Sequence, residues 1–285
     1  MIVITGATGQ LGRLVIAELL KTHPASELVA AVRSPEKARD LAALGVEVRQ
    51  ADYSQPATLD IALRGAEKLL LISSNAVGAR VEQHRNVIDA AKRAHVKLLA
   101  YTSLLHADTS PLGLSKEHLA TEDLLDESGL PVVLLRNGWY HENYTAGIPT
   151  ALAHNALAGC AGDGRIASAS RTDYAAAAAA VLSKENQAGK IYELAGDEAY
   201  TLTELAAEIT RQSGTAVKYV NLTQPEYQAL LSQAGLPDFL AVMLSDSESG
   251  ASQGGLFDDA RQLSQLIGRP TQPLAQAVAA ALKAG

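Results

Sequence analysis

The clearest chemical signature in this chain is a set of three glycines close to its start. The string TGATGQLG, residues 5–12, follows a short apolar run and leads directly into a segment of helical period. In such a turn Gly6 allows a sharp bend, Gly9 lets backbone approach a pyrophosphate, and Gly12 lets the helix pack closely. Free backbone N–H groups and the positive end of the helix dipole then bind the anion. The spacing GxxGxxG, in this context, predicts a dinucleotide site rather than a plain turn.

A residue that could decide between NAD and NADP follows the second apolar run. Arg33 comes directly after Val32, Lys37 lies four residues further on, and no acidic residue stands at the strand end. An acidic residue there would accept from the ribose 2′-hydroxyl of NAD, whereas an arginine pairs with the 2′-phosphate of NADP. We therefore predict NADPH as the cofactor, with a solvated surface arginine as the alternative. Asp52, at the next strand end, could contact the adenine or cap its own turn.

These residues need a parallel sheet to hold them, and the first half of the chain has the pattern for one. Apolar runs alternate with segments of helical period, which is typical of βαβ units in a doubly wound, Rossmann-like α/β fold. In the first helix Leu11, Val15 and Leu19 recur every four residues, which leaves Arg13 outside. The predicted strands are Met1–Thr5, Leu28–Val32, Val46–Arg49, Lys68–Ser73, Lys97–Ser103 and Pro131–Leu135, and further helices are predicted at Pro56–Arg64, Glu82–His95 and Lys116–Ser128.

The second half of the chain is less regular and predicts a smaller lobe. Its predicted elements are helices at Asp173–Ser183, Thr201–Ser213 and Gln224–Ala234 and strands at Lys190–Leu194 and Val217–Asn221. Thr201 and Glu204 have the spacing of a capping box. We predict an NADP-binding domain over residues 1–145, to which residues 171–196 return, and a substrate lobe over residues 146–285. The Ser- and Gly-rich segment Ser245–Gly255 is predicted to be a mobile linker or flap.

Composition excludes several classes of function. The chain has 285 residues, of which 47% are hydrophobic, and a net charge of -7 without a block of basic residues, so nucleic acid is not expected as a partner. No run of about 20 apolar residues could span a membrane, and a cytoplasmic location is predicted. The single cysteine, Cys160, is expected to be a small buried side chain. His84 and His106 lack the neighbours of a metal site, so no metal is predicted.

Polar and aromatic residues after the sixth predicted strand could line a pocket. Tyr140, His141, Asn143 and Tyr144 could offer an aromatic wall and hydrogen-bond donors to a planar ligand with a carbonyl oxygen. The alternative is a loop whose aromatic side chains only seal the lobe. Trp139, the single tryptophan, fits a core position better than a pocket.

Long strings of this sequence resemble the NmrA-like branch of the atypical short-chain dehydrogenase/reductase superfamily. They include VRSPEKA, HRNVIDAAKRA, YTSLLHADTSPLGL, LLRNGWYHENY and GLFDD, and the resemblance covers essentially the whole chain. It is strongest to the bacterial quinone-reducing members of that branch, and it implies hydride transfer from NADPH to a quinone. A homodimer would be unsurprising for such a protein.

The resemblance also implies which residues contact the cofactor, because in that family the cofactor lies across the carboxyl ends of the strands. The residues that match are Gly6, Ala7, Thr8, Gly9, Gln10, Leu11, Arg33, Ser73, Ser74, Asn75, Asn137, Gly138, Trp139, Tyr140, His141 and Glu142. Lys116, Tyr140 and Asn143 are the candidates for roles in the reaction.

One departure from the superfamily pattern concerns the proton relay. Ordinary members carry a serine and a YxxxK pair, in which the tyrosine gives a proton to a carbonyl oxygen. Ser103 and Lys116 match, but Leu112 stands where the tyrosine would be. A quinone tolerates this loss, because hydride transfer gives a stabilised hydroquinone anion that water can protonate. The alternatives are a non-catalytic NADP-binding redox-sensing regulator and a reductase of another conjugated substrate.

Overall fold

A computed structural model of the chain describes residues 1–284. The strands in this part of the chain are β1 (Ile2–Thr5), β2 (Leu28–Val32), β3 (Glu47–Gln50), β4 (Lys68–Leu71), β5 (Leu98–Leu104), β6 (Val132–Asn137), β7 (Ala156–Gly159), β8 (Ile191–Leu194) and β9 (Lys218–Asn221). Each predicted strand coincides with one of them, within one or two residues at the ends. β7 was not predicted, because its four residues, ALAG, are mostly small and adjoin glycine-rich sequence.

Seven strands form one sheet in the order β3-β2-β1-β4-β5-β6-β8. The pairings from β3 through β6 are parallel, with Val3 opposite Val29 on one side and Leu69 on the other. The strand order reverses on either side of β1, and ligands of open parallel sheets bind at the carboxyl ends of the strands at such a switch point. The Rossmann-like fold is confirmed. β7 and β9 form a separate parallel pair.

The helices cover the elements that the sequence predicts and add several short ones. They are α1 (Gln10–Leu19), α2 (Arg39–Ala43), α3 (Pro56–Ala62), α4 (Arg80–Arg93), α5 (Ser115–Glu127), α6 (His141–Thr145), α7 (Ile148–His154), α8 (Arg171–Ser183), α9 (Leu202–Ser213), α10 (Gln224–Gln233), α11 (Asp238–Ser252), α12 (Gln262–Ile267) and α13 (Leu274–Ala284). The predicted capping box at α9 is present, with Thr201 accepting from the Glu204 N–H and Glu204 accepting from the Thr201 N–H.

The chain divides into two compact units, which are described separately. The first unit contains Met1–Leu104, Lys116–Asn137 and Arg171–Tyr192, and the second contains Leu105–Ser115, Gly138–Ser170 and the chain from Glu193 onward. The sequence placed residues 1–145, with residues 171–196 returning, in the first domain and the rest of residues 146–285 in the second. In the structure residues 105–115, 138–145 and 193–196 group with the second unit. The first two of these are the loop after β5 and the short turn and helix after β6.

The prediction that Ser245–Gly255 is a mobile segment is wrong, since residues 245–252 belong to helix α11. Ser245 and Ser247 are buried, and their hydroxyls donate to the carbonyls of Val242 at 3.1 Å and Met243 at 2.8 Å within the helix. Such back-bonding satisfies serine hydroxyls in a helix interior. Gly250 is needed for packing, because a Cβ there would lie 2.6 Å from the Leu112 side chain.

No helix within residues 1–284 is both long and apolar enough to cross a bilayer. Within the same residues, no group of three or more histidine, cysteine, aspartate or glutamate side chains could hold a metal ion.

Candidate functional site

The glycine turn after β1 has the shape that the sequence predicts. Gly6 adopts a φ of +59°, and a Cβ on Gly12 would lie 2.6 Å from the Gly6 carbonyl oxygen and 2.7 Å from the Ala7 Cα. Helix α1 begins at Gln10 without a side-chain cap and without an acidic residue in its first turn. Its first N–H groups therefore remain available for an anion, and the turn fits the pyrophosphate of a dinucleotide. Ala7 and Leu11 are buried, so only their backbone could contact it.

Arg33 lies where β2 ends, and its side chain is exposed. Among residues 1–284 it has no side-chain hydrogen bond or ion pair, and the neighbouring Lys37 ammonium has none either. Two cations without protein partners fit a phosphate group. Asp52 caps its own turn by accepting from the Ser54 N–H at 2.9 Å. This contact shows that Asp52 caps its own turn, which is one of the two roles considered from the sequence. Its contact with the adenine stays a prediction.

The loop Ser73–Asn75 after β4 is fixed by side chains from the start of α4. Arg80 Nε donates to the Ser74 carbonyl at 2.7 Å, and the Ser74 N–H donates to His84 Nε2 at 2.9 Å. The Ser74 hydroxyl donates to Gln83. Because these bonds use the Ser74 side chain and both of its backbone groups, Ser74 shapes the loop. Ser73 and Asn75 are left as the residues of this loop that could turn toward a ligand.

His84 has one defined tautomer in this network. The Thr121 hydroxyl donates to the Glu117 carbonyl at 2.8 Å, so it must accept from His84 Nδ1, which lies 2.9 Å away. The proton is therefore on Nδ1, and Nε2 accepts from Ser74. Burial and the nearby Arg80 charge lower the pKa of His84 to about 3. His84 is thus a neutral residue whose hydrogen bonds hold the loop.

Ser103, the match to the superfamily serine, is engaged in a buried ion pair. Its hydroxyl donates to Glu122, whose carboxylate also pairs with Arg136 at 2.7 Å. Both charged side chains are only 7% exposed. The serine hydroxyl is thus committed to a carboxylate. Neither Glu122 nor Arg136 was singled out from the sequence, because no local pattern marks two residues that meet across 14 positions.

The other two positions of the superfamily relay are equally unlike a proton relay. Leu112 is buried in the second unit, where Gly250 and Gly255 are small enough to accept its side chain. Lys116, in the first turn of α5 in the first unit, is exposed. The leucine is therefore a packing residue. An apolar side chain stands where ordinary superfamily members have the tyrosine hydroxyl.

Asn137 ends β6 with its side chain buried, and its Oδ1 has no hydrogen-bond partner among residues 1–284. A buried acceptor without a partner costs free energy, which a hydrogen bond from a ligand would offset. The carboxamide of a nicotinamide has such a donor. The site therefore fits NADPH at the glycine turn, at Arg33 and at Asn137.

Beyond Asn137 the chain enters the second unit. Gly138 N–H donates to the Leu194 carbonyl at 2.7 Å, and Trp139 is buried, as expected for a core residue. His141 Nε2 lies 2.8 Å from the Gln272 carbonyl and its Nδ1 lies 2.8 Å from the Ser168 hydroxyl. Both ring nitrogens are thus used within the protein. Any contact of His141 with the cofactor would be through its backbone.

Three residues of the predicted pocket differ in exposure. Tyr140 is half-buried, Asn143 is exposed, and Tyr144 is buried with a hydroxyl that has no hydrogen-bond partner among the described residues. Burial raises the pKa of Tyr144, and the Glu248 charge adds to the effect. Tyr140 and Asn143 are therefore accessible enough to meet a substrate, whereas Tyr144 is an aromatic support in the second unit.

A strand order that reverses at β1, an uncapped glycine turn and a cation after β2 define a dinucleotide-binding protein of the Rossmann class. The model of an NAD(P)H-binding family matches residues 6–185. An NmrA-like family domain-containing oxidoreductase of Aspergillus flavus is 36% identical over 79% of this chain and 75% of its own length. The chain belongs to this NAD(P)H-binding, NmrA-like family, which confirms the resemblance found in the sequence.

A bacterial relative is more similar, both in sequence and in its solved structure. Quinone oxidoreductase 2 of Escherichia coli is 63% identical over 278 residues, which cover 98% of this chain and 97% of that protein. The crystal structure of an NADPH-dependent quinone oxidoreductase from Escherichia coli, in complex with NADPH, has a TM-score of 0.97 at 62% identity. It covers 99% of this chain and 100% of the other.

Proposed function

We infer that this protein is an NADPH-dependent quinone oxidoreductase, which transfers a hydride from NADPH to a quinone in one two-electron step. The observation that carries this conclusion is the full-length likeness to Escherichia coli quinone oxidoreductase 2, in sequence and in fold. The turn at Gly6 and the cations after β2 supply the chemistry that NADPH needs.

NADPH supplies the hydride, so the task of the chain is to hold the cofactor and the acceptor together. We propose that the backbone of residues 6–11 binds the pyrophosphate and that Arg33 binds the 2′-phosphate. Ser73 and Asn75 border the cofactor, the Ser74 bonds hold their loop, and Asn137 accepts from the carboxamide. Gly138, Trp139, His141 and Glu142 complete the cofactor side through the backbone after β6.

The acceptor side is proposed to involve Tyr140, Asn143 and Lys116. Tyr140 offers an aromatic surface for a flat ring, and Asn143 offers an amide donor to a carbonyl oxygen. Lys116 is exposed and would stabilise the developing oxyanion or contact the nicotinamide ribose. With Ser103 committed to Glu122 and Leu112 packed in the core, the proton comes from water after hydride transfer, which suits a quinone.

The experiment follows the nicotinamide absorbance of NADPH with a simple benzoquinone, beside NADH and beside the Arg33→Ala variant. We expect turnover that favours NADPH, and we expect Arg33→Ala to lose about tenfold or more of that preference. Arg64→Ala is the matched control, because Arg64 is another exposed arginine of the first unit and follows α3.

The two alternatives give different results in the same assay. A non-catalytic redox-sensing regulator would bind NADPH but would not consume it with any quinone or enone. A reductase of another conjugated substrate would consume NADPH faster with enones than with quinones.

A cytoplasmic location is also proposed, supported by a single cysteine that is free and buried. Homodimer formation stays a prediction, which sedimentation of the purified chain would check.

A further inference from the structure

Arg13 makes three contacts with one guanidinium group, although the sequence pattern only placed it on the outer face of α1. Its Nε donates to the Thr8 carbonyl at 3.2 Å, and its Nη2 donates to the Lys37 carbonyl at 2.8 Å. Its Nη1 pairs with the carboxylate of Asp40. A guanidinium has five donors in a rigid plane, so three acceptors in different directions fix its position.

The partners of Arg13 belong to two separate parts of the candidate cofactor site. Thr8 lies in the glycine turn, whereas Lys37 and Asp40 lie in the segment Ser34–Asp40 that follows β2 and Arg33. Within residues 1–284, Arg13 is the side chain that bonds to both the turn and this segment. The segment begins with a short 3-10 helix, Pro35–Ala38, whose side chains are mostly exposed, so core packing alone holds it weakly.

The two parts must keep a fixed spacing if both bind one cofactor. The pyrophosphate and the 2′-phosphate of NADPH are joined covalently, so the distance between their two sites on the protein is set by the ligand. A segment that drifts away from the turn would place Arg33 and Lys37 out of reach of the 2′-phosphate while the pyrophosphate stays bound. NADH lacks that phosphate and would be unaffected by such a drift.

Arg13 also controls a charge beside the predicted phosphate site. Asp40 is 61% exposed and is paired with Arg13. Without that pairing its carboxylate would be available to compete with a phosphate for the neighbouring cations, Arg33 and Lys37. The same contact therefore positions the segment and pairs Asp40, one of its two acidic residues; the other, Glu36, is exposed.

We propose that Arg13 is a positioning residue for cofactor preference: it ties the segment Ser34–Asp40, which carries Lys37 and directly follows Arg33, to the phosphate-binding turn and so makes the site selective for NADPH over NADH. This inference rests on the proposed role of Arg33. It differs from direct phosphate binding by Arg13, because the role runs through the contacts of Arg13 with Thr8, Lys37 and Asp40 rather than through a contact with the ligand.

The test measures the dissociation constants of NADPH and NADH by nicotinamide fluorescence for the whole chain. In Arg13→Gln we expect the constant for NADPH to rise about tenfold and the constant for NADH to change by less than about twofold. Arg13→Lys keeps the charge but cannot make the three bonds together, so most of the loss should remain. Asp40→Asn keeps both carbonyl contacts of Arg13 and should lose at most about threefold.

The outcomes separate this inference from the proposed function. Full NADPH preference in Arg13→Lys would mean that only the charge matters and would overturn the positioning role. Equal weakening of NADPH and NADH in Arg13→Gln would also overturn it, because the residue would then support the turn alone. Arg33→Ala is measured in parallel. If it loses the preference and Arg13→Gln does not, positioning fails alone, whereas retained preference in Arg33→Ala contradicts the proposed 2′-phosphate site itself.

Discussion

The two units treat their buried charged groups in opposite ways. In the first unit buried charges are paired, as Arg80 is with Glu117 at 3.2 Å and Glu122 is with Arg136 at 2.7 Å. In the second unit Glu248 is 6% exposed and receives the Cys160 N–H at 2.7 Å and the Tyr227 hydroxyl. No cation contacts Glu248 within the part of the chain that the structure describes.

This difference has a physical consequence for the two units. In the first unit each buried pair places opposite charges beside the loops that we propose to bind NADPH. Burial raises the pKa of Glu248 to about 7, although its two hydrogen-bond donors oppose the shift. Paired opposite charges thus lie on the cofactor side, whereas the second unit holds a buried acid that no counter-charge contacts among the described residues.

The largest expected effect is the loss of one partner of a buried pair. Glu122→Gln removes the carboxylate from Arg136 and weakens the acceptor for Ser103. We expect the free energy of unfolding to fall by about 3 kcal/mol or more, because a buried guanidinium loses its counter-charge. Chemical denaturation of the variant and of the parent chain measures the difference.

Glu185→Gln is the matched control for that variant. Glu185 pairs with Lys68 at 3.3 Å, but its side chain is 84% exposed, so the change should be under about 1 kcal/mol. Equal effects in the two variants would contradict the contrast between buried and exposed pairs.

The second prediction concerns the second unit, where replacing a buried glutamate should raise the free energy of unfolding rather than lower it. A carboxyl group whose pKa is raised on folding binds its proton more tightly in the folded state, so it stabilises the fold at low pH. That stability is lost as pH rises from the unfolded value, 4.5, to about 7. Glu248→Gln cannot ionise, so near pH 8 we expect it to be more stable than the parent by up to about 3 kcal/mol. Near pH 5 the two should be about equal.

The groups that face Glu248 do not obscure this measurement. Tyr144, Tyr219 and Tyr227 have pKa values raised by burial and by the Glu248 charge, as does Cys160, so none of them titrates between about pH 5 and 8. Glu198→Gln, an exposed glutamate of the same unit, serves as the control. A stability difference that does not change with pH would refute the unpaired buried acid.

The contrast also explains how far the sequence could predict this molecule. The turn at Gly6 and the capping box at Thr201 depend on residues a few positions apart, so their spacing is sufficient. The pairs around Glu122 and Glu248 join distant positions, and a glutamate that will be buried has no local mark. The prediction for Ser245–Gly255 was wrong for the same reason. Its Ser- and Gly-rich composition predicts a mobile segment, and its packing against the distant Leu112 cannot be read from the local sequence.

Arg13 lies between these two cases, since the sequence predicted its position but not its contacts. Helical periodicity correctly placed it away from the core, but the acceptors at Thr8, Lys37 and Asp40 depend on how the turn and the segment after β2 come together. Roles that depend on backbone carbonyls have no sequence signature, since every residue has a carbonyl group.

The smallest expected effect concerns the single cysteine, which adjoins the unpaired acid. Cys160 is 8% exposed, and burial followed by the Glu248 charge raises the pKa of its thiol to about 12. Because the thiolate is the reactive form, we expect a thiol reagent to label the native chain far more slowly than the unfolded chain.

Cys160→Ala should leave NADPH turnover unchanged and lower the free energy of unfolding by about 1 kcal/mol. Glu248→Gln removes one of the two causes, so native labelling near pH 9 should become faster in that variant. Rapid labelling of the parent chain with loss of turnover would instead give Cys160 a role in the site.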